Sequence, residues 1–226
     1  MNTIRILSTK VLSAAQQELL LNKGFALVQA DFIKVAFTDI KENTVCNNVI
    51  ISSKNGVLSL EHNNLLSALN TKTIYCVGAK TASLITSKAL TVTKSFANSK
   101  ELGNYLVAEK KEEKFTYFCG NIRRKEMPSL LKKNNIYLEE VVSYKTFFAP
   151  QEIPGKFDGV LFFSPSQAES FFFSNKLQNA IAFCIGTTTE DAIKPYTKNT
   201  ITATQPTIEN VIVKVVKHFN KELNEK

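Results

Sequence analysis

Asn48-Val49-Ile50-Ile51-Ser52-Ser53-Lys54-Asn55-Gly56-Val57 decides the fold class. The run Asn48–Ile51 is short, apolar and β-branched, as expected of a strand buried on both faces. Ser52 and Ser53 end it with small hydroxyl residues, which favour a helix N-cap, and a helix is predicted from there through Leu69. The same punctuation recurs along the chain. Thr73–Val77 precedes Gly78 and a helix over Lys80–Ser87, and Phe115–Cys119 precedes Gly120 and a helix over Arg123–Asn134. Gly159–Phe163, Ala182–Ile185 and Thr200–Ala203 are further strands. Upstream, Thr3–Ser8 is strand-like, and Ser13–Asn22 is a predicted helix with a capping-box pair (Ser13, Gln16) and a stop at Gly24. Strands alternating with helices imply parallel sheets covered on both faces, an α/β protein.

Three pairs of segments repeat in the same order. Ser53 in Ile-Ser-Ser-Lys-Asn matches Ser164 in Phe-Ser-Pro-Ser-Gln at an offset of 111 residues, as do the segments around Ile33–Phe37 and Tyr144–Phe148. Gly78 in Cys-Val-Gly-Ala-Lys-Thr matches Gly186 in Cys-Ile-Gly-Thr-Thr-Thr at 108. Duplication accounts for this order better than chance. It predicts two similar Rossmann-like or flavodoxin-like lobes with parallel sheets, and a cleft between them where a ligand is commonly held. The Phe-rich pieces Phe162–Phe163 and Phe171–Phe173 are expected to be a buried strand and the helix packed beside it. The last helix, capped by Thr207 after Pro206, places Ile208, Val211, Ile212, Val215, Val216 and Phe219 on one face.

Composition narrows the function. The 226 residues are 44% hydrophobic and 21% charged, near globular averages, with no apolar run long enough for a membrane helix, and Met1–Leu12 is not expected to be a signal peptide. A cytoplasmic protein is expected. Cys46, Cys76, Cys119 and Cys184 have no metal-ligand or C-x-x-C spacing, and three of them end apolar runs as buried hydrophobes do. Of the two histidines, His218 is expected on a solvated helix face. Net charge is +8, which favours anionic partners, but the lysines are spread along the chain and arginine occurs only at Arg5, Arg123 and Arg124. A nucleic-acid binder, which gathers its charge, is not supported.

Every predicted strand ends in glycine or hydroxyl residues before its helix, as anion binding at helix N-termini requires, and as ordinary N-capping also requires. No G-x-G-x-x-G or P-loop pattern is present. Taken in order, Ile-Ser-Ser-Lys-Asn-Gly-Val (51–57), Val-Gly-Ala-Lys-Thr-Ala-Ser-Leu (77–84), Cys-Gly-Asn-Ile-Arg-Arg-Lys-Glu-Met-Pro-Ser-Leu-Leu (119–131), Tyr-Lys-Thr (144–146), Phe-Phe-Ser-Pro-Ser (162–166), Ile-Gly-Thr-Thr-Thr (185–189) and Ala-Thr-Gln-Pro-Thr (203–207) make the chain resemble the uroporphyrinogen-III synthase family of haem (porphyrin) biosynthesis. Residues 1–45 match it in pattern only.

The resemblance implies two discontinuous lobes, residues 1–34 with 150–226 and residues 38–140, joined by a two-stranded extended linker over Phe25–Phe37 and Glu139–Pro150. It implies a cofactor-free lyase without a metal. The enzyme would cyclise hydroxymethylbilane, a linear tetrapyrrole polycarboxylate, to uroporphyrinogen III, losing water and inverting the last pyrrole ring through a spiro intermediate. Tyr144 is then the expected general acid. Ser53, Asn55, Thr81, Gly120, Arg123, Ser164, Ser166, Thr188 and Thr189 are expected to bind substrate; Arg123 and Arg124 are candidates to clamp carboxylates, with a solvated helix face the alternative for one of them. Lys54 and Lys80 stand where the family tolerates uncharged residues. A monomer with no nucleic-acid or membrane partner is expected.

Overall fold

The structure is a computed structural model that describes residues 3–40 and 45–224. Its contacts divide the chain into two compact units, Met1–Lys34 with Phe147–Lys226, and Val35–Thr146.

The first unit is built on a five-stranded sheet. Its strands are β1 (Arg5–Ser8), β2 (Ala26–Gln29), β9 (Gly159–Phe162), β10 (Ile181–Cys184) and β11 (Thr200–Thr202), in the order β11-β10-β9-β1-β2 with every pair parallel. Its helices are α1 (Ala14–Leu21), α6 (Pro165–Phe172), α7 (Thr187–Ile193) and α8 (Ile208–Asn224). Neighbouring residues of one strand enter different cores, as a sheet covered on both faces demands. Leu7, Val160 and Phe162 pack with Phe171 and Ile193, whereas Ile6 and Leu161 pack with Leu20, Val211 and Phe219. The predicted apolar face of α8 is the one that is buried, and Thr207 caps that helix by accepting from Asn210 N–H.

The second unit has β4 (Asn48–Ile51), β5 (Thr73–Val77), β6 (Lys94–Phe96), β7 (Lys114–Gly120) and β8 (Tyr137–Phe148), in the order β6-β5-β4-β7-β8, all parallel. A further strand, β3 (Ile33–Phe37), neighbours β8 at the sheet edge. The helices are α2 (Lys54–His62), α3 (Ala79–Ser87), α4 (Ser99–Glu109) and α5 (Glu126–Lys133). Val49, Ile51 and Phe118 enter one core and Ile50, Tyr117 and Cys119 the other.

Counted from the strand that ends in the hydroxyl pair, both units have the strand order 3-2-1-4-5. In plain chain order the second unit is the Rossmann-type 3-2-1-4-5 and the first unit the flavodoxin-type 2-1-3-4-5. The sequence repeat therefore reflects repeated topology, with the chain entering the first unit at its fourth and fifth strands.

Five details differ from expectation. Helix α2 stops at His62 because Asn64 takes a left-handed conformation (φ 57°), and only a 3₁₀ turn at Ser67–Leu69 follows. Helix α5 starts at Glu126, not Arg123, since Pro128 fits a first turn but would break a helix begun five residues earlier. The segment over 25–37 is two strands rather than one. Phe32 is fully buried against Phe171 (ring centroids 5.4 Å apart) and ends the extended run after β2. Phe173 caps α6 and is 67% exposed, outside the core. His218 is half-buried, its ring 4.9 Å from Phe219 and 6.0 Å from Phe183, not on a solvated face.

Candidate active site

In sheets of this order ligands gather outside the C-terminal strand ends, at the point where the strand order reverses. In the second unit that point lies between β4 and β7, where Ser52, Ser53 and Gly120 meet.

Ser53 is the N-cap of α2 in extended geometry (φ −153°, ψ 156°), its hydroxyl accepting from Gly56 N–H at 3.1 Å. The same oxygen lies 2.9 Å from the phenol oxygen of Tyr144 on β8. Beside it, Ser52 Oγ lies 2.7 Å from the phenol oxygen of Tyr117 on β7. Two consecutive serines thus each hold one tyrosine.

A break in register brings Tyr144 there. Cys119 pairs with Val142 but Gly120 pairs with Tyr144, so β8 carries Ser143 as an extra residue. Consecutive strand residues normally point to opposite faces. Here both Ser143 and Tyr144 reach α2 or its cap, Ser143 Oγ lying 2.8 Å from Ser59 Oγ and Tyr144 meeting Ser53. Gly120 completes the cradle. A Cβ at Gly120 would stand 2.6 Å from Tyr144 Cε2 and 2.9 Å from its hydroxyl, so the ring lies flush on bare backbone.

Tyr144 is 9% exposed. Burial raises its phenol pKa above the ordinary value, and the Ser53 hydrogen bond only partly offsets that. Burial pushes Tyr117 up to about 12, against the opposing pull of its bond to Ser52. Both phenols therefore keep their protons at neutral pH. Cys119 and Cys184 are likewise pushed up by burial, to about 11 and about 12, and are thiols rather than thiolate nucleophiles.

Tyr117 gives a pH signature. Its phenol would ionise near pH ~10 in the unfolded chain but near about 12 when folded, so the folded state binds the proton more tightly. That stabilisation is complete below pH ~10 and is lost as pH rises through the folded value, removing about 2–3 kcal/mol. In Tyr117→Phe this alkaline decline should flatten, read as urea midpoints from pH 8 to 12 beside the unaltered protein. Parallel declines in the two proteins would refute the assignment.

The other expected residues fall into groups. Asn55 is half-buried in the first turn of α2. Thr81 is 5% exposed in the first turn of α3, behind Gly78, whose φ of 86° suits glycine. Ser53 and Thr81 thus follow β4 and β5, and Gly120 ends β7, three neighbouring strands. In the first unit Ser164 repeats the part of Ser53. It caps α6 at φ −163° and ψ 158°, accepts from Gln167 N–H, and lies 3.4 Å from Ser166 Oγ. Thr188 and Thr189 stand in the first turn of α7 after the neighbouring strand β10, Thr189 being 2% exposed. At the adjoining end of β1, Thr9 donates to Leu161 O at 2.7 Å.

Arg123 is not on a helix. It stands in the loop before α5 with its Nε 2.5 Å from the Glu140 carboxylate. Ser52, Tyr117, Asn121 and Ser143 carry no site signature in the sequence, although Ser52 and Asn121 lie inside the motifs 51–57 and 119–131. A cavity of about 950 Å³ in the first unit holds none of the expected site residues; it lies between the segment leading into β9 and the turns after α6 and α7. Among the described residues no cluster of three or more His, Cys, Asp or Glu is arranged to hold a metal ion, and no helix is long and apolar enough to cross a membrane.

Comparison with known proteins gives one family. The model described as "Uroporphyrinogen-III synthase HemD" matches residues 15–212. "Porphyrin biosynthesis protein HemD" of Ruminiclostridium josui is 27% identical over 190 residues, which cover 74% of this chain and 37% of that protein's length. The uroporphyrinogen-III synthetase of Helicobacter pylori 26695 has a similar fold at 16% identity (TM-score 0.74, covering 96% of this chain and 100% of that one). So does a mutant uroporphyrinogen III synthase of the extreme thermophile Thermus thermophilus at 14% identity (TM-score 0.70, covering 99% and 100%).

Proposed function

The chain belongs to the uroporphyrinogen-III synthase family, and from that premise we propose that it cyclises hydroxymethylbilane to uroporphyrinogen III with loss of water and inversion of the last pyrrole ring. The observation that carries this reading is the buried, protonated phenol of Tyr144, held 2.9 Å from the Ser53 hydroxyl at the strand-order reversal of the second unit.

Loss of water needs one proton and one electron pair. The phenol of Tyr144 gives its proton to the leaving hydroxyl, the carbon–oxygen bond breaks, and the pyrrole nitrogen supplies the electron pair. The carbon so activated bonds to the substituted α-carbon of the last ring, giving the spiro intermediate. The bond from that α-carbon to its original bridging methylene then breaks, and the methylene re-bonds at the ring's other α-carbon, which inverts the ring and frees that carbon's proton. The pyrrole proton released on rearomatisation restores the phenol, so atoms and charge balance without a cofactor. Donors suited to substrate carboxylates stand at the starts of α2 and α3 in the second unit, with Ser53, Asn55 and Thr81, and at the starts of α6 and α7 in the first, with Ser164, Ser166, Thr188 and Thr189. Gly120 binds indirectly, by seating Tyr144. Arg123 reaches a carboxylate only by sharing or leaving Glu140. Much of the rate comes from holding the bilane in a near-attack shape, a contribution of up to ~7–11 kcal/mol that no single side chain carries. The same reading takes the protein as a cytosolic monomer that needs no nucleic acid or membrane.

Product isomer analysis tests this. With hydroxymethylbilane generated in situ, the protein should divert closure from type I to type III product. Exclusive type I product from folded protein would exclude the synthase activity.

A further inference from the structure

We infer that Asn121 is a positioning residue for Tyr144: its carboxamide, together with the bare backbone of Gly120, fixes β8 around Tyr144 and so aims the phenol at Ser53. Asn121 touches neither the phenol nor any reacting atom, so its action is through the strand.

Strand β7 ends at Gly120, and its pairing with β8 ends there too, at Tyr144. The β8 backbone beyond that residue would lose its β7 partner just where orientation matters. Asn121 supplies the missing partner. Its backbone N–H donates to Tyr144 O at 3.2 Å. Its side chain continues the ladder, Nδ2 donating to Thr146 O at 3.1 Å and Oδ1 accepting from Thr146 N–H at 2.7 Å. A carboxamide offers one donor and one acceptor at the spacing of a peptide group, so it stands in for one more strand residue. Aspartate would keep only the acceptor, and alanine neither.

On the other side of Tyr144 the extra residue Ser143 is fully buried, with its hydroxyl 2.8 Å from that of Ser59. Tyr144 is thus held before and after, with Gly120 against its ring. Released from the β7 side past Tyr144, with β3 still along its other edge, the strand would let the ring turn away from Ser53. A misplacement of ~1 Å can lower a rate by ~10²-fold.

The activity arm of the test rests on the functional reading above; the spectroscopic arm does not. The protein is labelled with ¹³C at tyrosine Cζ, and the resonance absent from Tyr144→Phe identifies Tyr144. In Asn121→Ala that resonance should titrate closer to an ordinary phenol than in the unaltered protein, because the ring loses part of its enclosure. Asn121→Asp should fall between the two. Type III formation should drop by ~10-fold or more in kcat with little change in KM, and Asn121→Ala should add nothing further in the Tyr144→Phe background. An unshifted Tyr144 titration overturns the inference whatever the activity. So does an equal loss of activity with Phe at position 144, which would mark a general structural role. If Asn121→Ala does not fold, Asn121→Asp alone decides by the same readouts. A shifted titration in a protein that makes no type III product upholds the positioning role and refutes the synthase reading instead.

Discussion

Tyr144→Phe is expected to slow type III product formation by about 10²–10⁴-fold, the usual worth of a positioned acid, while costing only about 1 kcal/mol of stability. The two effects separate because the substitution removes one oxygen and nothing else. The ring that lies against Gly120 remains, so the close packing there is kept. Ser53 loses its 2.9 Å partner but still caps α2 through Gly56 N–H. The pH dependence follows from the raised phenol pKa. The acid form predominates through neutral pH, so rate dependence on this group should be flat there and fall only above pH ~10. Phe at this position should abolish that alkaline limb. Isomer ratios at matched protein concentration, with thermal midpoints alongside, decide the matter. A variant that makes type III product at the unaltered rate would remove Tyr144 from the chemistry and leave geometry alone as the catalyst.

The layered fold was legible in Asn48–Ile51 and its counterparts because a buried parallel strand must be continuously apolar, and that constraint is written in consecutive residues. Ser53 and Ser164 were legible for a related reason, since the residue at a strand-to-helix corner is fixed by local capping. The rest of the tyrosine site depends on contacts across the sheet. Tyr117 and Ser52 are 65 residues apart, and Ser53 and Tyr144 are 91 apart. The register shift at Cys119/Gly120 has no local signature either, because Val142, Ser143 and Tyr144 suit a regular strand equally well. For Asn121, a polar residue after a glycine signals a turn, and nothing local says that its carboxamide continues a ladder. The start of α5 was readable after all: Pro128 limits how far upstream that helix can begin.

Phe162→Ala is expected to lower the stability of the first unit by about 3–5 kcal/mol, against a whole-domain stability of about 5–15 kcal/mol. Phe162 is fully buried on β9, which lies between β1 and β10. Its ring meets Phe171 edge-on at 5.3 Å and stacks near Phe172 at 6.0 Å. Phe171 in turn packs against Phe32 at 5.4 Å. Removing the central ring leaves a cavity that rigid aromatic neighbours fill poorly, which is the condition for a loss at the upper end of that range. The repeat supplies a control. Ile51 holds the equivalent position on β4 and is also fully buried, yet Ile51→Ala removes less volume. Urea unfolding followed by hydrogen exchange at the β1, β9 and β10 amides should register the Phe162 loss, and a change below about 1 kcal/mol would mean that the site collapses onto the missing ring. The consequence extends beyond stability. Phe162 is the last residue of β9, two positions before the Ser164 cap, and Ile185 N–H donates to Phe162 O at 3.0 Å just before Gly186 opens α7. The ring therefore supports the end of the sheet from which α6 and α7 start, and on the proposed reading loosening it should weaken substrate binding there even in molecules that remain folded.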